Sequence, residues 1–149
     1  LQYALGATLK PFKGFTLRLY GSLNEKNEPT GKDSYIYAIF AGYQNNRFSI
    51  GAEYNRIENM KHVNNHHLDG ISAYATVICH PKWKVFMRYD NLFSKHDWNI
   101  SKDEATYTAG VEFRPCKYIK IAPNFRYHEA KAADVKDRYM AYISCSFGI

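Results

Sequence analysis

Three sets of residues in this chain are of a type and spacing that could do chemistry. His62, His66 and His67 lie within six residues, with Asp69 just beyond. Imidazole and carboxylate donors this close suit a metal ion, provided that the loop carrying them converges on one point. The same residues also describe a polar, solvated loop, and that is the expectation here; the role of the loop is left open. Asp90, Asp97, Asp103 and Glu104 offer oxygen donors of the kind Ca²⁺ takes, but Lys95, His96 and Lys102 lie among them, which reads as ordinary charge mixing. No nucleophile motif, phosphate-cradling glycine loop or H-E-x-x-H pair occurs. No catalysed reaction, cofactor or metal is therefore expected.

The third set is dispersed. Arg18, Glu53, Lys84, Arg88, Asp90, Glu112, Lys120, Arg126 and Arg138 sit singly in segments that alternate between apolar and polar residues. What they do depends on the elements that carry them. Segments of this kind recur about every 15 to 17 residues, near 2–10, 14–23, 34–44, 47–57, 69–79, 82–93, 104–114, 118–128 and 138–148. Each is about ten residues long, the length a tilted strand needs to cross the hydrocarbon layer. The connections alternate too. Short turns fall at Pro11-Phe12-Lys13, Asn45-Asn46, His80-Pro81 and Pro115-Cys116-Lys117, and longer polar loops at 24–33, 58–68, 94–103 and 129–137. This rhythm predicts an all-β, antiparallel up-and-down barrel with tight turns at one end, formed by a single domain over 1–149.

Alternation places Phe15, Leu17 and Leu19 on one side of the second segment, with Arg18 on the other. It sets Trp83, Val85, Met87 and Tyr89 against Lys84, Arg88 and Asp90 in the sixth. The third segment is ambiguous, because Ile36, Ala38 and Phe40 are about as apolar as Tyr37, Ile39 and Ala41. Pro123 removes a ladder donor from the eighth, where a bulge or local break is expected. Matching the apolar sides of the seventh and eighth across a three-residue turn sets Glu112 opposite Lys120.

Composition narrows the class. Hydrophobic residues make up 46% of the 149, yet no apolar run approaches the length of a membrane helix, and the mean hydropathy is −0.49. A barrel tolerates that value, since only alternate strand residues must be apolar. The 13 Tyr, 9 Phe and 2 Trp concentrate near segment ends, where amphipathic rings suit a boundary between oil and water. A net charge of +6 comes from scattered residues with no basic run or recognition helix, so nucleic acid is not an expected partner. Cys79, Cys116 and Cys145 form neither a C-x-x-C pair nor a disulfide framework. Cys79 and Cys145 read as small apolar fillers and Cys116 as a turn residue.

In a lipid-embedded barrel the apolar sides face acyl chains and the nine charged residues above line the lumen. Six cations against three anions then favour anions. Nine strands conflict with the even count usual in bacterial barrels. Either further strands precede Leu1, which is the favoured expectation, or residues 1–13 lie outside an eight-stranded barrel with a structural or adhesive role.

The run Phe86-Met87-Arg88-Tyr89-Asp90 continues through a polar loop to Tyr107-Thr108-Ala109-Gly110-Val111-Glu112-Phe113-Arg114-Pro115. It then passes into Ile119-Lys120-Ile121-Ala122-Pro123-Asn124-Phe125-Arg126-Tyr127. This wording resembles the C-terminal part of the phosphate-selective and related porins of Gram-negative bacteria. The final Tyr142-Ile143-Ser144-Cys145-Ser146-Phe147-Gly148-Ile149 resembles an outer-membrane insertion signal, with Ile149 in place of the more usual Phe. The resemblance covers residues 82–149. It implies a larger, homotrimeric barrel in the bacterial outer membrane, with this chain as its C-terminal half and Arg88 and Arg126 on the channel wall. Its expected partners are membrane lipids and small solutes or anions.

Overall fold

The structure is a computed structural model that describes residues 1–148; Ile149 lies outside the described residues. It is one antiparallel sheet. The strands are β1 (Gln2–Leu9), β2 (Phe15–Asn24), β3 (Ser34–Gln44), β4 (Phe48–Glu58), β5 (Leu68–His80), β6 (Trp83–Ser94), β7 (Glu104–Cys116), β8 (Ile119–Ala130) and β9 (Arg138–Phe147). Each pairs only with its sequence neighbours, in the order β1 to β9, so β1 and β9 are the sheet's two edges. The expected up-and-down meander is present, with short turns at one end and long loops at the other. Among the described residues no helix is long and apolar enough to cross a membrane. β1 pairs with β2 from Gln2 to Leu9, so this segment is part of the sheet rather than outside it.

The register settles the open phase of β3. Leu17 pairs with Ala41 and Leu19 with Ile39, which puts Tyr37, Ile39 and Ala41 on the apolar face and Ile36, Ala38 and Phe40 on the other. Local polarity could not decide this; the cross-strand partners do. Near Pro123 the β8–β9 pairing is unbroken, while on the β7 side the named partners pause between Gly110↔Asn124 and Phe113↔Ile121 without changing register. That pause is the expected local break; the register shifts fall elsewhere, between Ile78 and His80 in β5 and between Phe113 and Cys116 in β7. Cys116 is the last residue of β7 rather than part of the turn, and all three cysteines are exposed.

The long loops are tied down in a repeated way. Asp33, Asp103 and Asp137 each directly precede a strand, and each carboxylate accepts the backbone N–H of a residue across its loop. The donors are Lys26 at 3.0 Å, Ser94 at 2.7 Å and Ala130 at 3.0 Å. Successive loops are also chained by backbone bonds, from Lys32 to the His62 carbonyl, Lys95 to His67 and Lys131 to Asp103.

What the sheet lacks is a core. Ala105 and Ala132 are the buried hydrophobic residues among those described. The accessible surface is 10473 Å², roughly a third above the ~7,800 Å² expected of a compact folded monomer of this mass. The excess lies on the apolar face, where Leu5 is 81% exposed, Met87 59%, Ile143 74% and Phe147 75%.

Candidate functional site

Directly paired residues of an antiparallel sheet project to the same side, so the pairings assign every strand residue to one of two faces. All nine charged residues picked out from the sequence fall on one of them, here called the ionic face. One row crosses the sheet as Thr8, Arg18, Phe40, Glu53, Ser72, Asp90, Thr106, His128 and Arg138, each the partner of the next. The next row toward the short turns includes Tyr74, Arg88, Thr108 and Arg126. Lys84 and Glu112 are partners nearer the turns, and Lys120 pairs with Ser146 at that end.

Several of these charges are neutralised locally. Arg88 holds Asp90 through both carboxylate oxygens, at 2.7 and 2.9 Å from Nε, and Ser72 Oγ donates to the same carboxylate. Lys84 lies 3.6 Å from Glu112, and Arg114 lies 3.3 Å from it. The partner of Glu112 is thus on β6, not Lys120 on β8. The β7–β8 turn is Lys117-Tyr118, shorter than the three residues assumed, and together with the register shift between Phe113 and Cys116 it sets Phe113 opposite Ile121. Arg138 donates to Glu104 at 2.7 Å, and the His128 ring lies 3.1 Å from the other oxygen of that carboxylate. Glu53 accepts from Asn55 at 2.7 Å.

Arg18, Lys120 and Arg126 form no ion pair among the described residues. Arg18 lies over the Phe40 ring, 5.7 Å from its centroid, and Arg126 over the Tyr142 ring at 4.8 Å. Glu104, Arg114 and His128 share the face with the sequence-derived set but were not in it. Glu104 and Arg114 sit at strand ends, where alternation is hardest to extend by eye. Counting them, seven Lys and Arg side chains meet four carboxylates, the same cationic excess as expected. All of it lies on β6–β9, since Arg18 and Glu53 balance each other on the earlier strands.

Two hollows open on this side. One, of about 1330 Å³, is lined by Arg18, Phe40, Gln44, Ser49, Glu53 and Tyr74 together with turn residues. The other, about 290 Å³, includes Asn55, Ser72, Asp90, Glu104 and Thr106 in its lining. Residues of the ionic face dominate both, so the sheet is concave toward its charges.

The opposite face has its own order. On four strands an aromatic near the short turns and a tyrosine nearer the loops are six residues apart: Tyr43 and Tyr37, Phe48 and Tyr54, Trp83 and Tyr89, Phe113 and Tyr107. That separation is ~20 Å along a strand. Between them lie Ile, Val, Ala and Met. Tyr89, Tyr107, Tyr127 and Tyr139 are successive partners with ring centroids 5.1, 5.9 and 4.8 Å apart. Charges enter this face only beyond the tyrosines, at Arg56, Glu58, Asp69 and Glu129.

The loop candidates stay apart. His66 stacks on Trp98 at 4.2 Å, His62 Nδ1 meets the Lys32 carbonyl at 3.0 Å, and Asp69 accepts from the Tyr54 hydroxyl. Asp103 is engaged by Ser94, and no three His, Cys, Asp or Glu side chains converge as a metal would need among the described residues.

The chain matches no family model and no curated protein.

Proposed function

We propose that this chain is part of the wall of a transmembrane β-barrel in a bacterial outer membrane, and that the barrel is a passive diffusion channel for small solutes with a preference for anions. The single observation that carries the reading is the uncovered apolar face. A sheet with two buried alanines for a core cannot be stable with that face in water, because burial of such surface is the main favourable contribution to folding. Acyl chains supply the missing cover. The aliphatic band between two zones of aromatics suits a lipid layer and its two interfaces.

On this reading the concave ionic face bounds water. Arg18, Glu53, Lys84, Arg88, Asp90, Glu112, Lys120, Arg126 and Arg138 line the conduit, and its cationic excess lowers the energy of an anion within it. The reading assigns no catalysed reaction. The edges of β1 and β9 call for further strands. An odd count leaves β1 and β9 running in the same direction, so antiparallel closure needs additional strands between them. The likeness of residues 82–149 to phosphate-selective and related porins supports the same proposal, including a trimeric assembly.

Planar bilayers test it. The full-length protein should insert and conduct in steps, and a KCl gradient should give a reversal potential of anion-selective sign. Insertion without conductance contradicts the channel, and cation selectivity contradicts the basic lining.

A further inference from the structure

We infer that the ionic face carries, at its short-turn end on β2–β5, a binding floor for a planar organic anion, with an aromatic carboxylate as its simplest form. This rests on the channel reading for the access of solutes to that face.

The floor is made of Phe40 and Tyr74. Their rings are nearly parallel, inclined by 10° with centroids 6.4 Å apart. Neither packs into a core. Each lies against backbone where a side chain is missing: a Cβ on Gly42 would stand 2.6 Å from the Phe40 ring, and one on Gly51 2.7 Å from Tyr74. Gly51 is the direct cross-strand partner of Tyr74. Glycine at these two positions is what lets the rings lie down on the wall, where both line the hollow of about 1330 Å³.

Charge decides the kind of ligand. Lys10, Lys13, Arg18 and Arg47 line that hollow with Glu53 as the only carboxylate among the lining residues. Arg18 stands over the Phe40 ring, 5.7 Å from its centroid, without an acidic partner among the described residues. A benzoate-like ligand places its ring on Phe40 and Tyr74 and its carboxylate at Arg18, using both features at once. An inorganic anion would use only the cations, and a neutral ring only the floor.

Ligand-observed NMR on the full-length protein in detergent tests this with benzoate, cyclohexanecarboxylate and acetate as probes. Benzoate should bind about fivefold or more tightly than either of the others, and Tyr74→Leu or Arg18→Gln should each weaken it by about fivefold, the size of a ~1 kcal/mol contact. Gly51→Ala should act in the same direction by lifting the Tyr74 ring, with every charge unchanged. Acetate binding as well as benzoate would overturn the floor. So would wild-type benzoate binding by both Tyr74→Leu and Phe40→Leu, the second deciding the matter if the first does not fold. Benzoate binding by a protein that carries no bilayer current would sink the channel and leave the floor standing. Conduction without benzoate binding would do the reverse.

Discussion

The two faces of this sheet share every strand and every backbone hydrogen bond, yet they are built on opposite rules. On the apolar face, side chains as large as Met87 and Phe147 stand largely uncovered, and charges appear only past the tyrosines. On the ionic face, seven cations and four carboxylates are arranged in rows, some paired and three without an acidic partner. In a water-soluble sheet the apolar face would be the buried one. Here it is the exposed one, and the hollows open on the charged side. The difference teaches that the described residues build no interior to cover the apolar face; on the proposed reading, acyl chains cover it.

Substitutions that move a residue type to the wrong face should break this comparison most sharply. Ala109→Arg places a cation in the aliphatic band between Met87 and Phe125. It should cost ~2–4 kcal/mol in denaturant titrations of protein folded into lipid vesicles. Thr108→Gln, one residue away on the ionic face between Arg88 and Arg126, should cost less than about 1 kcal/mol, as a polar surface substitution does. Equal costs would show that both faces see the same medium.

Gly110→Ala probes packing on the ionic face. Its Cβ would meet the Phe86 ring at 2.5 Å and the Pro123 carbonyl oxygen at 2.7 Å. A ring can turn away but backbone cannot, so a loss of ~1–3 kcal/mol is expected from overpacking in the same titration. The Lys84–Glu112 pair is the smaller effect. Both groups are partly exposed, and Lys84→Ala should change stability by less than about 1 kcal/mol. In bilayers, by contrast, the triple variant Arg18→Gln, Lys120→Gln, Arg126→Gln should shift the reversal potential toward zero, since it removes the three cations that no carboxylate offsets.

The smallest effect lies in the loops. Asp137 accepts hydrogen bonds from the Tyr127 hydroxyl at 2.7 Å and the Ala130 N–H at 3.0 Å, and these hold its carboxyl below the usual carboxylate range. A depressed folded-state pKa gives stability that is complete above the unfolded value of about 4 and fades as pH falls through the folded one. Hydrogen exchange at the Ala130 amide should therefore be flat from neutral pH down to about pH 4 after correction for intrinsic rates. It should lose protection only below that, and Asp137→Ala should lose it at every pH.

Much of this was legible in the chain. Strand positions and the face of each charge followed from two-residue alternation, which a pleated backbone imposes directly. The phase of β3 was not legible, because both of its alternate sets are apolar and only pairing with Leu17 and Leu19 distinguishes them. The Glu112 partner was misjudged for a related reason: register depends on turn length, and the β7–β8 turn is shorter than proline at 115 suggested. The three aspartates that close loops carried a signal that was missed, since Asp33, Asp103 and Asp137 occupy the same place before three of the four return strands. Neither edge of the sheet gives its partner away in the sequence described.

The most direct measurement is a nitroxide scan along β7 in lipid vesicles, with Cys79, Cys116 and Cys145 replaced by Ser. Labels at Tyr107, Ala109 and Val111 should collide readily with dissolved oxygen and poorly with a water-soluble nickel chelate, while labels at Thr106, Thr108 and Glu112 should show the opposite. Nickel accessibility on both sets, or shielding of the first set from both reagents, would mean that the apolar side meets water or protein instead of lipid.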